Sequence, residues 1–533
     1  MNKIDNSSIV QGPHSPPPKR ARLDTSAVTR AGRSIMVSGM EEKEKPSLSV
    51  ISPSSSAMIL HDLEPRDIRS SERVCPPLRE TVIADKALAK DWYRRFSSAQ
   101  QCRLGTAIKT KDDNQLRDWL ESFSNDRALV ESLINLDRED SCFPARLYST
   151  KIRLMSECKT FNLLTKATIH GKKRIASAAL SSDGRYLVAV NYQNKAKIYR
   201  HMTDGSWEKV TTISHKSFVY SAIFSLDGKH VLTASRDGTA KIYSLGYEEA
   251  WKLDESWQPK AIISHDTMVL SANFSADSQH VITHSSDGKV QIHSQIDDGS
   301  WQLTATFSHN DGVESASFSP DSRYAVTASW DSTAKILARK TDGSWEEEAI
   351  IDHESSVLSA TFSPDNRHLV TTSSDCTVKI HSRRDNGSWE LTAIFLHNAI
   401  VESATFSPDC RHLVTVGYDG TVKIYARKDN GSWLVKAIIH HKGRVRSAAF
   451  SLDGLHFVTA SDDGTAKIIG QLPDGSWVEK ACISHDGWVL SASFSDDGSH
   501  VLTAGGHMVK ITELKRSDLL PAPPLLQRTC TIL

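Results

Sequence analysis

The chain has 533 residues, enough for several domains, and its 64 basic residues balance its 64 acidic ones, so no net charge draws it to nucleic acid. No apolar run is long enough to span a membrane, and the polar N-terminus shows no secretion signal. The eight cysteines lack metal-ligand spacing and suit a reducing, intracellular protein.

Residues 1–47 are rich in serine, proline and charge and poor in aromatic residues, a composition that predicts a disordered tail. Within it, a basic cluster of Lys19, Arg20 and Arg22 follows three prolines. The cluster resembles a monopartite nuclear import signal, in which extended basic residues fit an acidic receptor groove. The alternative is a charged patch of the tail without that role.

Residues 48–97 combine spaced apolar positions with a Pro-Arg-Asp-Ile run and end near Trp92 and Tyr93. This segment resembles an F-box, the small helical module that joins a substrate receptor to a Skp–cullin–F-box ubiquitin ligase. Its start departs from that family, since Ile51 and Ser52 stand where Leu-Pro is usual. The resemblance implies that a Skp-type adaptor binds Ile59, Leu60, Leu63, Pro65, Ile68 and Val74. The alternative is a helical cap packed on the following domain.

Residues 98–156 are predicted to form a helical connector. Leu116, Trp119, Leu120 and Phe123 follow the i, i+3, i+4, i+7 spacing of one helix face. Either Asp112 or Asp113 is a plausible N-cap for that helix. In F-box receptors, such a connector holds the substrate at a fixed distance from the ligase core.

From residue 171 onward the chain repeats itself eight times. A Ser-Ala-x-Phe-Ser block recurs at 44-residue intervals, apart from one interval of 50 residues. Its first serines are Ser177, Ser221, Ser271, Ser315, Ser359, Ser403, Ser447 and Ser491. Each repeat contains four short β-branched runs separated by Gly, Asn, Asp or Pro, which predicts an antiparallel meander. A strand-rich period of this length indicates a β-propeller with one blade per repeat.

The spacing inside a repeat resembles the WD-repeat family. His353 and Asp375 are 22 residues apart, and four other repeats keep that gap. The resemblance implies a hydrogen bond between this His and Asp, joined by a Ser or Thr and a strand Trp. Ser235, Ser329 and Ser461 are assigned to the Ser position. Other residues occupy the Trp position: Tyr243, His293, Leu337, His381, Tyr425 and Ile469.

The predicted fold is mainly β, an eight-bladed WD-repeat propeller over residues 157–515. Eight sets of the first three strands exist, and the last set, within residues 485–514, has no fourth strand after it. The unmatched segment Phe161–Ile169 should supply that strand and close the ring without a free sheet edge. The alternative has seven blades and excludes the first unit.

No catalytic or cofactor motif stands out in the chain, so we expect neither an enzyme nor a bound cofactor. Thirteen of the 22 histidines recur at two positions of the repeat, which explains them without a metal site.

A partner is expected on the rim formed by the loops that enter the first strand and by the residue before the turn Asp. Four contiguous blades supply the basic and aromatic residues Arg174, Phe218, Tyr220, Arg236, Arg444, Arg446 and Trp488. Arginine and aromatic residues are common interface anchors and suit an acidic or phosphorylated peptide. Glu314 and Glu402 are expected on the opposite, acidic side. The alternative is a mixed, solvated rim.

Residues 516–533 are predicted to form a flexible tail that ends in Cys530-Thr-Ile-Leu. This ending matches the C-a-a-X pattern for prenylation of Cys530, and its terminal Leu favours geranylgeranyl. The alternative is an unmodified tail, and membrane association is expected only if Cys530 carries the lipid.

Two functions follow as hypotheses. The first is a non-catalytic substrate receptor of a Skp–cullin–F-box ligase, and the second is a WD-repeat scaffold held at a membrane by its lipid. Either acts inside a eukaryotic cell, in the cytoplasm or nucleus. The combination of signals would also suit a bacterial effector in a eukaryotic host.

Overall fold

The structure is a computed structural model that describes residues 98–136, 138, 143–156, 158–171, 173–191, 194–202, 205–245 and 258–517. The basic cluster at Lys19–Arg22, the F-box-like segment and Cys530 lie outside these residues. The described helices are α1 (Ser98–Lys109), α2 (Asp113–Glu121), α3 (Arg127–Ile134) and α4 (Phe143–Ser156).

The strands form eight four-stranded antiparallel sheets, so the predicted eight-bladed propeller is confirmed. The first strand, β1, spans Phe161–His170. Blade 1 contains β2 (Ile175–Leu180), β3 (Tyr186–Asn191), β4 (Lys195–His201) and β5 (Trp207–Ser214). Blade 2 contains β6 (Val219–Phe224), β7 (His230–Ser235), β8 (Thr239–Ser244) and β9 (Ala261–Ser264). Blade 3 contains β10 (Val269–Phe274), β11 (His280–Ser285), β12 (Lys289–Gln295) and β13 (Trp301–Ser308).

Blade 4 contains β14 (Val313–Phe318), β15 (Tyr324–Ser329), β16 (Thr333–Arg339) and β17 (Trp345–Asp352). Blade 5 contains β18 (Val357–Phe362), β19 (His368–Ser373), β20 (Thr377–Arg383) and β21 (Trp389–Leu396). Blade 6 contains β22 (Val401–Phe406), β23 (His412–Gly417), β24 (Thr421–Arg427) and β25 (Trp433–His440). Blade 7 contains β26 (Val445–Phe450), β27 (His456–Ser461), β28 (Thr465–Gln471) and β29 (Trp477–Ser484). Blade 8 contains β30 (Val489–Phe494), β31 (His500–Gly505) and β32 (Met508–Arg516), with β1 as its outer strand.

The two ends of the repeat region close the ring. Strand β1 pairs antiparallel with β32, from Phe161 opposite Arg516 to His170 opposite Met508. The first strands of successive blades contact one another around the whole circle, including β2 against β30. The predicted role of Phe161–Ile169 as the missing outer strand is therefore confirmed.

Each blade is buried on both faces because it packs between two neighbours. On β7, Val231 and Leu232 are adjacent and at most 1% exposed, yet they belong to two different interblade cores. Successive strand residues point to opposite faces, so adjacent apolar residues fill both interfaces. Burying each side chain stabilises the fold by about 1.5–3 kcal/mol.

The helices dock onto the propeller face that carries the loop between the first and second strands of each blade. Asp112 caps α2 by accepting a hydrogen bond from the Gln115 backbone, so the Asp112 alternative was the correct one. The predicted apolar residues of α2 and the following turn are buried, among them Leu116 and Phe123, in one core with residues of blades 7 and 8.

Charged side chains reinforce this docking within blade 8. Arg103 of α1 pairs with Asp496, and the Lys111 Nζ lies 2.9 Å from the Asp497 carboxylate. Lys151 of α4 is buried and donates to the Asp497 carbonyl. Burial lowers the pKa of Lys151 to about 8, although Asp497 and Asp453 oppose that shift. The helices are thus attached to one side of the propeller by an apolar core, by partly buried ion pairs and by the buried Lys151 hydrogen bond.

Candidate protein-interaction site

A histidine network sets the shape of the opposite face, the rim. In blade 5, the His353 Nδ1 lies 2.9 Å from the Asp375 carboxylate, and its Nε2 lies 2.8 Å from the Thr371 hydroxyl. Asp375 also accepts hydrogen bonds from the Glu354 and Thr377 backbone N–H groups at 3.0 and 2.8 Å. These bonds join the loop that enters the first strand to the turn between the second and third strands.

The predicted His–Asp bond recurs in most of the blades where the spacing indicated it. The distance is 3.0 Å for His215–Asp237 and 2.9 Å for both His309–Asp331 and His441–Asp463. The fifth pair, His397–Asp419, is longer at 3.8 Å.

The assignment of the hydroxyl partner was wrong. The His215 Nε2 lies 2.8 Å from the Thr233 hydroxyl, not from Ser235, and blades 3 to 8 each make the same contact at 2.8 Å. Ser235, Ser329 and Ser461 instead each accept the backbone N–H of the following turn Asp at 3.1 Å. The sequence signal was present, because seven repeats carry threonine there: Thr233, Thr283, Thr327, Thr371, Thr415, Thr459 and Thr503.

The network holds a neutral histidine against an ionised aspartate. Burial lowers the pKa of His353, and the nearby Asp375 only partly offsets that effect. Burial alone would raise the pKa of Asp375, but hydrogen bonds from Thr377, Glu354 and His353 bring it to about 2. The loops of the rim are therefore fixed by a polar frame that keeps its charge state at neutral pH.

At the rim of blades 7, 8 and 1, one tryptophan lies between two arginines. The Trp488 ring is 46% exposed, with the Arg174 guanidinium 4.4 Å and the Arg446 guanidinium 5.5 Å from its centroid. Arg446 also forms two hydrogen bonds, of 2.7 and 2.9 Å, with Asp462. The structure thus brings together three residues that the sequence placed on one arc.

Arg444 has a different environment. Its guanidinium stacks on Tyr418 at 3.7 Å and donates to the Glu402 carboxylate at 2.9 Å. Burial, followed by the charge of Glu402, raises the pKa of the Tyr418 hydroxyl. The expectation that Glu402 lies opposite the basic arc was therefore wrong, because blade 6 adjoins blade 7 and its glutamate neutralises Arg444.

Blade 2 supplies the other end of the basic arc. Arg236 lies over the exposed Phe218 ring at 5.9 Å, and the Tyr220 hydroxyl lies 3.5 Å from the Met268 sulfur. Among the described residues, neither Arg174 nor Arg236 has a carboxylate partner, whereas Arg444 and Arg446 do. Of these four rim arginines, the two without a carboxylate partner therefore lie on blades 1 and 2.

Glu314 on blade 4 marks the acidic part of the rim. Its carboxylate accepts a hydrogen bond from the Trp330 indole at 3.0 Å. Desolvation of the carboxylate by neighbouring protein atoms raises the pKa of Glu314, and the negative charge of Glu402 adds to this shift. The hydrogen bond from Trp330 and the positive charge of Arg444 oppose it. The acidic side expected from the sequence thus contains Glu314 and Trp330.

Among the described residues, no three His, Cys, Asp or Glu side chains are grouped as metal ligands would be. No helix among these residues has the length and apolar character to cross a membrane.

Comparison with known proteins shows what the repeats are similar to. The chain matches the family described as "WD domain, G-beta repeat" at residues 207–244, 301–336, 346–382, 389–426, 432–469 and 476–512. No curated protein matches the chain in sequence. The crystal structure of the C-terminal WD40 domain of Sif2 aligns with a TM-score of 0.54 at 15% identity, covering 66% of this chain and 98% of that one. The crystal structure of Saccharomyces cerevisiae Sqt1 aligns with a TM-score of 0.55 at 15% identity, covering 67% of this chain and 99% of that one.

Proposed function

Because the chain carries WD40 repeats in a closed eight-bladed propeller, we propose that it is a non-catalytic receptor that binds a protein target on its rim. We further propose that it is the substrate-recognition subunit of a Skp–cullin–F-box-type ubiquitin ligase. The observation that supports this most is the position of the helices, which dock by a buried core on the face opposite the rim. A target and an adaptor could then be held on opposite faces at a fixed separation.

The rim suggests the chemistry of the target. Arg174 and Arg236 lack carboxylate partners among the described residues and lie on aromatic rings, so an acidic or phosphorylated peptide would neutralise them. Losing one such arginine should weaken binding by about 2 kcal/mol or more. Arg444 and Arg446 should matter less than the sequence implies, because Glu402 and Asp462 already compensate their charge.

The rim is tested with a library of acidic and phosphorylated peptides. We expect capture by the wild-type chain and its loss in the Arg174→Ala/Arg236→Ala variant. Arg384→Ala is the matched control, because this exposed arginine lies away from the rim and is already paired with Glu390. Equal capture by all three chains would show that the rim arginines are solvated surface.

The ligase link is tested through the F-box-like segment. Changing Leu63, Pro65 and Ile68 to Ala should abolish co-purification with a Skp-type adaptor, since each apolar truncation removes about 1.5–3 kcal/mol of burial. The propeller should keep its unfolding transition. If the wild-type chain binds no such adaptor, the ligase proposal fails.

The second candidate is a scaffold tethered to a membrane through Cys530, favoured by the C-a-a-X ending. In a eukaryotic cell, in the cytoplasm or nucleus where we propose that it acts, Cys530→Ser should release the membrane-bound fraction. The same test applies if the chain is a bacterial effector in a host cell. An unmodified C-terminal peptide in mass spectrometry would exclude the tether.

A further inference from the structure

The outer surface of the propeller is much more apolar on blades 5 and 6 than elsewhere. Of the fifteen large apolar side chains exposed in the described residues, six lie on β21 and β25. They are between 46% and 69% exposed, and we call them the outer apolar face: Leu391, Ile394, Leu396, Leu434, Val435 and Ile438. The two strands belong to neighbouring blades that touch, because Phe395 of β21 stacks on Tyr425 of β24 in blade 6 at 4.1 Å.

Other blades carry a charged residue at a position where blades 5 and 6 carry an apolar one. In blades 4 and 7, the position two residues after the strand Trp holds Glu347 and Glu479, each 2.9 Å from a lysine of the adjacent strand. Blades 5 and 6 hold Leu391 and Val435 at the same register position. An outer strand has unpaired backbone groups, and charged side chains normally protect it from association.

The lysines remain where the glutamates are lost. Lys379 and Lys423 each donate to a backbone carbonyl at 2.7 Å, and neither has a carboxylate partner among the described residues. Across the two outer hairpins, 377–396 and 421–440, seven Lys and Arg face three Asp and Glu, a net charge of +4. The equivalent hairpin of blade 4, residues 333–352, has three basic and five acidic residues.

We propose that the outer apolar face of blades 5 and 6 contacts the surface of an anionic membrane. Exposed aliphatic side chains surrounded by uncompensated lysines are the composition that binds at an anionic lipid interface. A second copy of this chain fits less well, because two faces of charge +4 would repel each other. The proposal requires neither a Skp-type adaptor nor a lipid on Cys530.

The test uses the full chain, purified from cells that do not prenylate proteins, and phosphatidylcholine vesicles with or without phosphatidylserine. We expect wild-type protein to sediment with the anionic vesicles and not with the neutral ones. In Leu391→Glu/Val435→Glu, binding should fall by about tenfold or more, since two apolar contacts are lost and two negative charges are added. The variant should fold, because the repeat uses glutamate at this position beside the same lysine in blades 4 and 7.

Leu303→Glu is the matched control. Leu303 lies at the same register position of blade 3 and is 55% exposed, but its hairpin is not basic. Its substitution should leave vesicle binding unchanged, and all three chains keep the basic tail at Lys19–Arg22. The proposal is overturned if the wild-type protein does not sediment with anionic vesicles or if the double variant binds them equally well. It is also overturned if light scattering shows a wild-type dimer that the double variant loses, because the face would then be a self-interface.

Discussion

Blade 3 should be the acid-sensitive part of the propeller. His265, His284 and His293 are gathered in this blade, and each has a buried ring nitrogen without a hydrogen-bond partner in the described part of the chain. Burial is the main cause that lowers the pKa of all three to about 4. The usual His–Asp bond is missing here, since Asp287 accepts from Ser285 instead.

The effect of His284 can be calculated from linkage. It is fully buried, and its pKa falls from 6.5 to about 4 on folding. Above its unfolded-state pKa, His284 is neutral in the folded and in the unfolded chain, so it does not reduce the free energy of unfolding there. That free energy declines as the pH falls from about 6.5 to about 4. At about pH 5, His284 is protonated in the unfolded chain and neutral in the folded chain, which lowers the free energy of unfolding by about 2 kcal/mol. The other two histidines act in the same direction.

His284→Ala isolates this contribution. Four other repeats have alanine at the same position, namely Ala234, Ala328, Ala460 and Ala504, so the blade can accommodate it. The variant loses the 2.7 Å bond from the His284 Nδ1 to the Val313 carbonyl, which should cost about 1 kcal/mol at neutral pH. Between about pH 7 and pH 5, however, its stability relative to wild type should rise by about 2 kcal/mol.

Urea unfolding at several pH values measures this difference, and hydrogen exchange should show β10–β12 opening first in the acidified wild-type protein. A stability difference between wild type and variant that stays constant with pH would contradict this prediction. The prediction is also refuted if another blade exchanges first.

Two further predictions concern the polar frame and the helix docking. Asp375→Ala should lower the free energy of unfolding by about 1–3 kcal/mol. Asp419→Ala should lower it by less, because the Asp419 carboxylate lies 3.8 Å from its histidine. Equal losses in urea unfolding would contradict this. Gly498→Ala should loosen the helices, since its φ is +62° and a Cβ there would lie 2.9 Å from the Tyr148 hydroxyl oxygen. Gly184 is the control, because it lies in the equivalent loop of blade 1 with φ +71° and open space around it. Gly184→Ala should therefore cause backbone strain without a clash, and equal proteolysis of the helices in both variants would exclude a docking effect.

The sequence alone determined the architecture because propeller information is local and repeated. The 44-residue period, the turn residues and the alternation of apolar positions define four strands per repeat. Counting the half-repeats was enough to assign Phe161–Ile169 to the last blade. The helix containing Trp119 was equally predictable, since its apolar spacing and its Asp112 cap lie within a dozen residues.

The site was predicted only in part, because its side chains meet across blades. The sequence placed Arg174, Arg446 and Trp488 on one arc, and the structure brings them together. It gave no indication that Glu402 compensates Arg444, since that pair depends on how the closed ring aligns blades 6 and 7. The pairing of Arg446 with Asp462 lies within blade 7 and was overlooked.

The position of the helices was decided by tertiary structure alone. Lys151 meets the Asp497 carbonyl 346 residues further along the chain, and no local pattern encodes such a contact. The outer apolar face also needed the structure, because only the packing of the blades shows which apolar side chains of β21 and β25 stay exposed. Local periodicity therefore specified the strands and their number, whereas closure of the ring decided which charges are paired and which apolar side chains remain exposed.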